Sequence, residues 1–248
     1  MRKNQVFPLV DVETAGGLDN PLTYDFGLKM VDRKGNEYER LSLVIYDIYA
    51  GQREMMKTAY YADKLPKYEI KLKTGERKMV TFYTARKMVH DLMKKYNTNV
   101  VYAYNMNFDK RALNNTQRFT TDNLYKYFFP YGTEFRCIWS MACQLLMARP
   151  SYIKYALEHD FVSPKGNILT SAEYCYRYLT NDPSFEEEHQ GIDDADIETE
   201  ILIACFKQHK KYDPKPYTAC WRLVQDAREK METKIYLKEI AKLLAELG

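Results

Sequence analysis

The sequence predicts an α/β domain built on a mixed β-sheet. Three strand-like segments come first, then a helix-strand-helix-strand succession, then a run of helices. The first strand is Gln5–Val12, an apolar stretch interrupted only by Pro8 and Asp11. Tyr24–Asp32 and Glu37–Ile48 read as the next two strands, with Arg33-Lys34-Gly35-Asn36 as the hairpin turn between them. From Ala85 the rhythm changes: Ala85, Met88, Val89, Leu92, Met93 and Tyr96 recur at i, i+3, i+4 and i+7, the stripe of an amphipathic helix. Val100–Tyr104 is a short buried strand, and Asn107 is placed to cap a helix starting near Phe108. Phe135–Ile138 reads as a further strand. Residues 139–180 are mainly helical, with breaks at Pro150 and Ser163–Gly166 and a capping box of Thr170 with Glu173 before a helix to Leu179. A helix from about Gly191 to Lys211 follows. Pro214 and Pro216 then mark a boundary before one or two helices in 218–247. The expected organisation is a domain over 1–211 and a helical extension over 212–248, packed on the domain or docking a partner.

Composition narrows the class. With 46% hydrophobic and 29% charged residues, the 248-residue chain is globular in character. No apolar run approaches the roughly 20 residues needed to span a bilayer, and the N-terminal apolar stretch is too short for a signal peptide. Five cysteines lie scattered with no C-x-x-C pair, which argues against a disulfide framework or zinc knuckle and fits a reducing cytoplasm. A formal charge of +3 does not by itself imply a polyanionic partner. Its distribution is uneven, since Lys64–Lys95 holds ten basic residues against three acidic ones, interleaved with Tyr68, Phe82 and Tyr83. That stretch, and a second group of Lys207, Lys210, Lys211 and Lys215, are candidate phosphate-contacting surfaces; each reads equally well as a solvated face.

Three short motifs carry the chemistry. In Asp11-Val12-Glu13-Thr14 an extended backbone points residues i and i+2 to one face, so two carboxylates project together from a strand end. Alone they repel, and a hard divalent cation relieves the repulsion. In Asn105-Met106-Asn107-Phe108-Asp109 an acid follows a short strand at a helix start, where it also suits the helix dipole. In His189-Gln190-Gly191-Ile192-Asp193-Asp194 a loop histidine precedes acids in the first turn of the next helix. A neutral imidazole is suited to taking a proton from water near neutral pH. Spacing from His189 selects Asp194, with Asp193 the competing choice and Asp196 and Glu198 adding to the acidic helix start. Each motif alone also reads as ordinary surface; their order and their positions at strand and helix ends make the combination specific.

Together the motifs resemble those of the DnaQ-like 3'→5' exonucleases with four acids and a histidine, over roughly residues 5–211. The resemblance implies a ribonuclease H-like mixed sheet flanked by helices. It implies Asp11, Glu13, Asp109 and Asp194 as ligands of two divalent ions, Mg²⁺ or Mn²⁺, and His189 as general base. It further implies that Thr14, the adjacent backbone at Ala15, Asn105 and Phe108 hold the terminal nucleotide. The chain departs from the family in having Ala15-Gly16-Gly17 after the first motif, Tyr104 in place of a frequent histidine, and Gly191 where alanine is frequent. Glu186–His189 followed by Asp193-Asp194-Ala195 is similar to short exonuclease-like proteins of bacteriophages. The implied partner is nucleic acid, DNA ahead of RNA, in replication, repair, proofreading or phage DNA metabolism, with a polymerase as a candidate protein partner and no membrane. The rival expectations are an exonuclease of RNA or short oligonucleotides, and a non-catalytic binding module of the same fold.

Overall fold

The computed structural model describes residues 5–57, 59, 62–213 and 219–247, with the side chains of 242–247 excepted. Pro214, Lys215 and Pro216 therefore lie outside the described residues. The elements are β1 (Val6–Ala15), β2 (Leu22–Asp32), β3 (Glu37–Ile45), α1 (Tyr46–Tyr49), α2 (Arg53–Met56), α3 (Leu65–Thr74), β4 (Lys78–Val80), α4 (Phe82–Lys95), β5 (Val100–Ala103), α5 (Met106–Thr120), β6 (Glu134–Cys137), α6 (Ile138–Ala142), α7 (Pro150–Glu158), α8 (Ala172–Thr180), α9 (Gly191–Phe206) and α10 (Trp221–Leu247).

Six strands form one sheet in the order β4-β3-β2-β1-β5-β6. The β1–β2 and β2–β3 pairs are antiparallel, while β1–β5, β5–β6 and β3–β4 are parallel. Helices cover both faces, giving the α/β, ribonuclease H-like architecture implied by the sequence, with a helix at the C-terminus. Alternation along β1 divides the core in two. Phe7 and Leu9 join the cluster containing α6, α7, α8 and α9, while Val6, Val10 and Val12 join the cluster containing α4 and α5. Asp11 and Glu13 continue the Phe7–Leu9 face. The same face of β1 thus turns from apolar to acidic at its C-terminal end.

The β2–β3 turn is held by Asp32, whose carboxylate accepts from Lys34 N, Asn36 N and Asn36 Nδ2, with Gly35 in the left-handed region (φ 88°). Several expected boundaries move. β3 stops at Ile45 rather than Ile48, because the chain folds into α1, whose Asp47 Oδ2 accepts the Phe82 N–H at the start of α4 (2.7 Å). Helix α4 begins at Phe82, with Thr81 as its cap. Helix α5 begins at Met106, so its cap position is Asn105 and Asn107 lies in the first turn. The Thr170–Glu173 capping box does not form: Ser171 occupies the cap of α8, Thr170 Oγ1 accepts from Trp139 Nε1 (3.0 Å), and Glu173 pairs with Arg177. Helix α9 ends at Phe206 rather than Lys211. Residues 221–247 form one helix. Cys220, just before it, and Val224 in its first turn belong to the core, with Ala227 and Met231 packed against it, while Ile235, Tyr236 and Leu237 are exposed. Among the described residues no helix is long and apolar enough to cross a membrane.

Candidate active site

The end of β1 and the first turns of α5 and α9 surround a cavity of about 730 Å³. Its walls carry seven carboxylates, those of Asp11, Glu13, Asp109, Glu173, Glu187, Asp194 and Glu198, together with His189. No lysine or arginine lines it among the described residues.

Helix α9 reaches the sheet through a backbone contact that needs two glycines. A Cβ on Gly27 would fall 2.2 Å from the Gly191 carbonyl oxygen, and one on Gly191 would fall 2.9 Å from Gly27 N and 3.0 Å from Asp11 O. Gly27 lies directly opposite Asp11, and Asp25 opposite Glu13. The first turn of α9 therefore settles onto the acidic end of the β1–β2 pair. Asp25 is fully buried there. It accepts from Gly191 N (2.9 Å) and Tyr68 Oη (2.6 Å) and pairs with the buried Arg77. This charge-assisted group ties α9 to β2 and α3.

Helical geometry then sorts the acids of the third motif. Asp193 points away and pairs with Lys71 Nζ at 2.8 Å. Asp196 pairs with Lys29 and Arg40. Asp194 and Glu198, one turn apart, both enter the cavity and are buried. Asp194, not Asp193, is the acid on the cavity wall. The remaining acids take their places locally. Asp109 is buried in the first turn of α5, and Glu198 accepts from the Tyr104 N–H at 3.2 Å. Tyr104 is buried and donates its hydroxyl to Thr170 O, and both residues line the cavity.

Burial and mutual repulsion raise the carboxyl pKa values. Asp11 is held well above the ordinary range, first by burial, then by Glu198, Asp109, Asp194 and Glu13. Glu13 and Glu198 are raised for the same reasons, burial first. Burial pushes Asp109 up to about 8, and burial with the neighbouring Glu187 pushes Asp194 up to about 8. Glu187 rises to about 7, by burial and the nearby Glu173. His189 shifts the other way: burial, then the charge of Lys64, lowers its pKa and favours the neutral ring. His189 adopts φ 52°, a left-handed conformation that turns the chain from the acidic run into α9.

This donor set fits divalent cations. Asp194 Oδ1 and Glu187 Oε1 are buried with no hydrogen-bond partner. One ligand atom from each of Glu13, His189 and Asp194 lies within 4.8 Å of the others, and the same holds for Glu173, Glu187 and His189. Carboxylate oxygens are the donors hard cations prefer. Neither trio includes Asp11 or Asp109, although both line the same cavity.

Asn105 and Phe108 also line the cavity. Thr14 is half-buried and is not on its wall, and the Ala15 side chain is fully buried in the core, so only the backbone at Ala15 is left to meet a ligand. Glu187, Glu173 and Glu198 are site residues that the motifs did not select. Glu198 carried a usable signal, four residues beyond Asp194 in a predicted helix; Glu173 and Glu187 reach the site only through the tertiary fold. Four of the ten basic residues of the stretch Lys64–Lys95 are held in ion pairs. Lys67 pairs with Glu188, Lys71 with Asp193, Arg77 with Asp25 and Lys95 with Glu39.

No family model matches the sequence, and no curated protein sequence does. Among solved structures, the fold is similar to exonuclease X in complex with 5' overhanging duplex DNA, at 13% identity and a TM-score of 0.42 over 87% of this chain and 99% of that one. It is similar to E. coli exonuclease I in complex with a dT13 oligonucleotide, at 15% identity and a TM-score of 0.47 over 81% of this chain. It is also similar to E. coli exonuclease I in complex with a dA16 oligonucleotide, at 17% identity and a TM-score of 0.46 over 89% of this chain. The chain spans 40% and 42% of the length of those two exonuclease I chains. The chemistry of the cavity is carried by this chain's own residues.

Proposed function

We propose that the protein is a metal-dependent 3'→5' exonuclease that hydrolyses the terminal phosphodiester of a DNA strand and releases nucleoside 5'-monophosphates. The observation that carries this reading is the cavity in which burial and neighbouring carboxylates hold Asp11, Glu13 and Glu198 well above their ordinary pKa, with Asp109 and Asp194 on the same wall and, among the described residues, no lysine or arginine there. Such a wall repels a phosphodiester unless cations neutralise it. Asp11, Glu13, Asp109 and Asp194 would hold two divalent ions, Mg²⁺ or Mn²⁺. When bound, such ions acidify a water molecule and offset charge on the leaving oxygen.

His189, neutral at pH 7, takes the proton of the attacking water. Glu187 Oε2 stands 3.9 Å from His189 Nδ1, and the charge of Glu173 favours the imidazolium that results. Phe108, half-buried at the cavity, offers a ring face to the terminal base, and Asn105 offers an amide beside it. Asp25 and Arg77 keep the first turn of α9, and so Asp194, against the end of β1.

The test is digestion of a 5'-labelled single-stranded DNA oligomer with Mg²⁺ or Mn²⁺, against EDTA and Asp11→Ala controls and a matched RNA. A ladder shortening from the 3' end, absent in both controls, is the expected result. Failure to shorten either nucleic acid in the presence of metal would overturn the proposal in favour of a binding module, and preference for the RNA would change the substrate.

A further inference from the structure

A second cavity, of about 260 Å³, opens beside α5. Its lining includes Lys110, Asn114, Tyr127, Phe129, Tyr131 and Phe135 and contains no carboxylate. Tyr131 is 99% exposed and Tyr127 56% exposed. Two exposed tyrosines in one short segment have little to gain there from folding, since their rings remain largely in water. The floor, by contrast, is built: Phe129 is buried, packs edge-on against Phe135 (centroids 5.5 Å apart), and Lys110 Nζ sits 4.4 Å over the Phe135 ring. Next to it Arg86 stacks over Tyr125 at 5.0 Å and donates to Tyr127 O, fixing the backbone that presents Tyr127. At 260 Å³ the cavity is smaller than the roughly 300–1,000 Å³ typical of sites for larger ligands, and it suits one planar ring.

Its position relates it to the acidic cavity. Both cavities use the first turns of α5: Phe108 and Asp109 face one, while Lys110 and Asn114 face the other. Arg111, between them, lies 5.7 Å over the Phe108 ring. Two ring–cation pairs, Phe108 with Arg111 and Phe135 with Lys110, and the exposed rings of Tyr127 and Tyr131 thus lie on α5 and the segment packed beside it, the combination that single-stranded nucleic acid recognises through base stacking and phosphate charge. The geometry points to a base-stacking subsite at Tyr127, Tyr131 and Lys110 that holds an upstream nucleotide of the strand whose 3' end lies in the acidic cavity. It rests on the exonuclease reading and extends it, by assigning length dependence to a surface outside the reacting centre.

The test measures binding of labelled thymidine oligomers of about 15 and about 3 nucleotides by fluorescence anisotropy, alongside their shortening in Mn²⁺. The proteins are wild type, a Tyr127→Ala/Tyr131→Ala double variant, and Lys110→Gln. The double variant is expected to bind the long oligomer about tenfold more weakly while its affinity for the short one stays within about twofold. Lys110→Gln is expected to reduce the slope of log Kd against log salt by about one. Circular dichroism and thermal melting confirm that the variants fold, and Tyr131, being fully exposed, contributes no packing to lose. Equal long-oligomer affinity in wild type and the double variant would overturn the subsite, as would a wild type that binds neither oligomer. Failure of the exonuclease reading shows separately, as wild-type protein that binds the long oligomer and does not shorten it.

Discussion

Loading the acidic cavity with a divalent cation should expel protons, and the number follows from the structure. Asp109 and Asp194 are pushed up to about 8. At pH 7 a carboxyl of that pKa is ~0.9 protonated. Asp11, Glu13 and Glu198 are raised as well, by burial and by one another. Cation binding requires ionised carboxylates. Loading at pH 7 should therefore release about two protons or more per protein molecule, and apparent affinity should rise by roughly 100-fold per pH unit from pH 6 to 7. Calorimetric titration of the metal-free protein with Mn²⁺, in two non-chelating buffers of different ionisation enthalpy, measures the release directly. Release of less than about half a proton, or an affinity that is flat over this range, would refute the picture of carboxyls kept protonated by burial and crowding. The sign for stability follows. These groups bind protons in the folded chain that the unfolded chain, titrating near pH 4, has already lost. Their contribution to the stability of the metal-free protein should be fully present below about pH 4 and be lost as pH rises through about 8. A carboxylate stabilised by a salt bridge behaves in the opposite way.

Asp194→Asn removes one charge from the crowded wall, so at pH 8 the metal-free variant should melt about 2–4 °C higher, for roughly 1 kcal/mol of relieved repulsion, while metal-dependent cleavage falls by at least about 100-fold; a lower melting temperature in the variant would contradict this account. Arg77→Met leaves the buried Asp25 without its cation and should cost about 3–5 kcal/mol in urea denaturation, because an uncompensated charge is left inside. Gly27→Ala forces a Cβ against the Gly191 carbonyl, and should lose about 1–3 kcal/mol of stability together with Mn²⁺ affinity at the cavity; unchanged affinity would mean that the seat of α9 does not set Asp194.

Much of this architecture is written locally. The switch from period 2 to period 3.6 along the chain is enough to separate strands from helices. Asp11 and Glu13 fall on one face because strand side chains alternate, whatever else the chain does. Turn chemistry at Asp32 and Gly35 is equally local. Boundaries were less legible where a remote group decided them. β3 gave way to a helical turn whose Asp47 caps a helix more than thirty residues later, and Thr170 accepts from Trp139 rather than capping α8. Helix α3 and strand β4 carry too little periodicity to be read from sequence, and they are held by pairings to distant acids: Lys67 with Glu188, Lys71 with Asp193, Arg77 with Asp25.

The sequence by itself determined the sheet-and-helix succession outside residues 46–80, the ends at which three acidic motifs sit, and the paired orientation of Asp11 and Glu13. Only the tertiary structure decided which acids share the cavity. Asp193, Asp194, Asp196 and Glu198 are close in sequence, yet the helix turns two outward to cations and two inward to the wall. Glu173 and Glu187 join them from elements that packing alone brings there. The physical reason is that a carboxylate's role depends on what surrounds it. The chain states the charge, whereas burial, neighbouring charge and available cations are properties of the assembled fold.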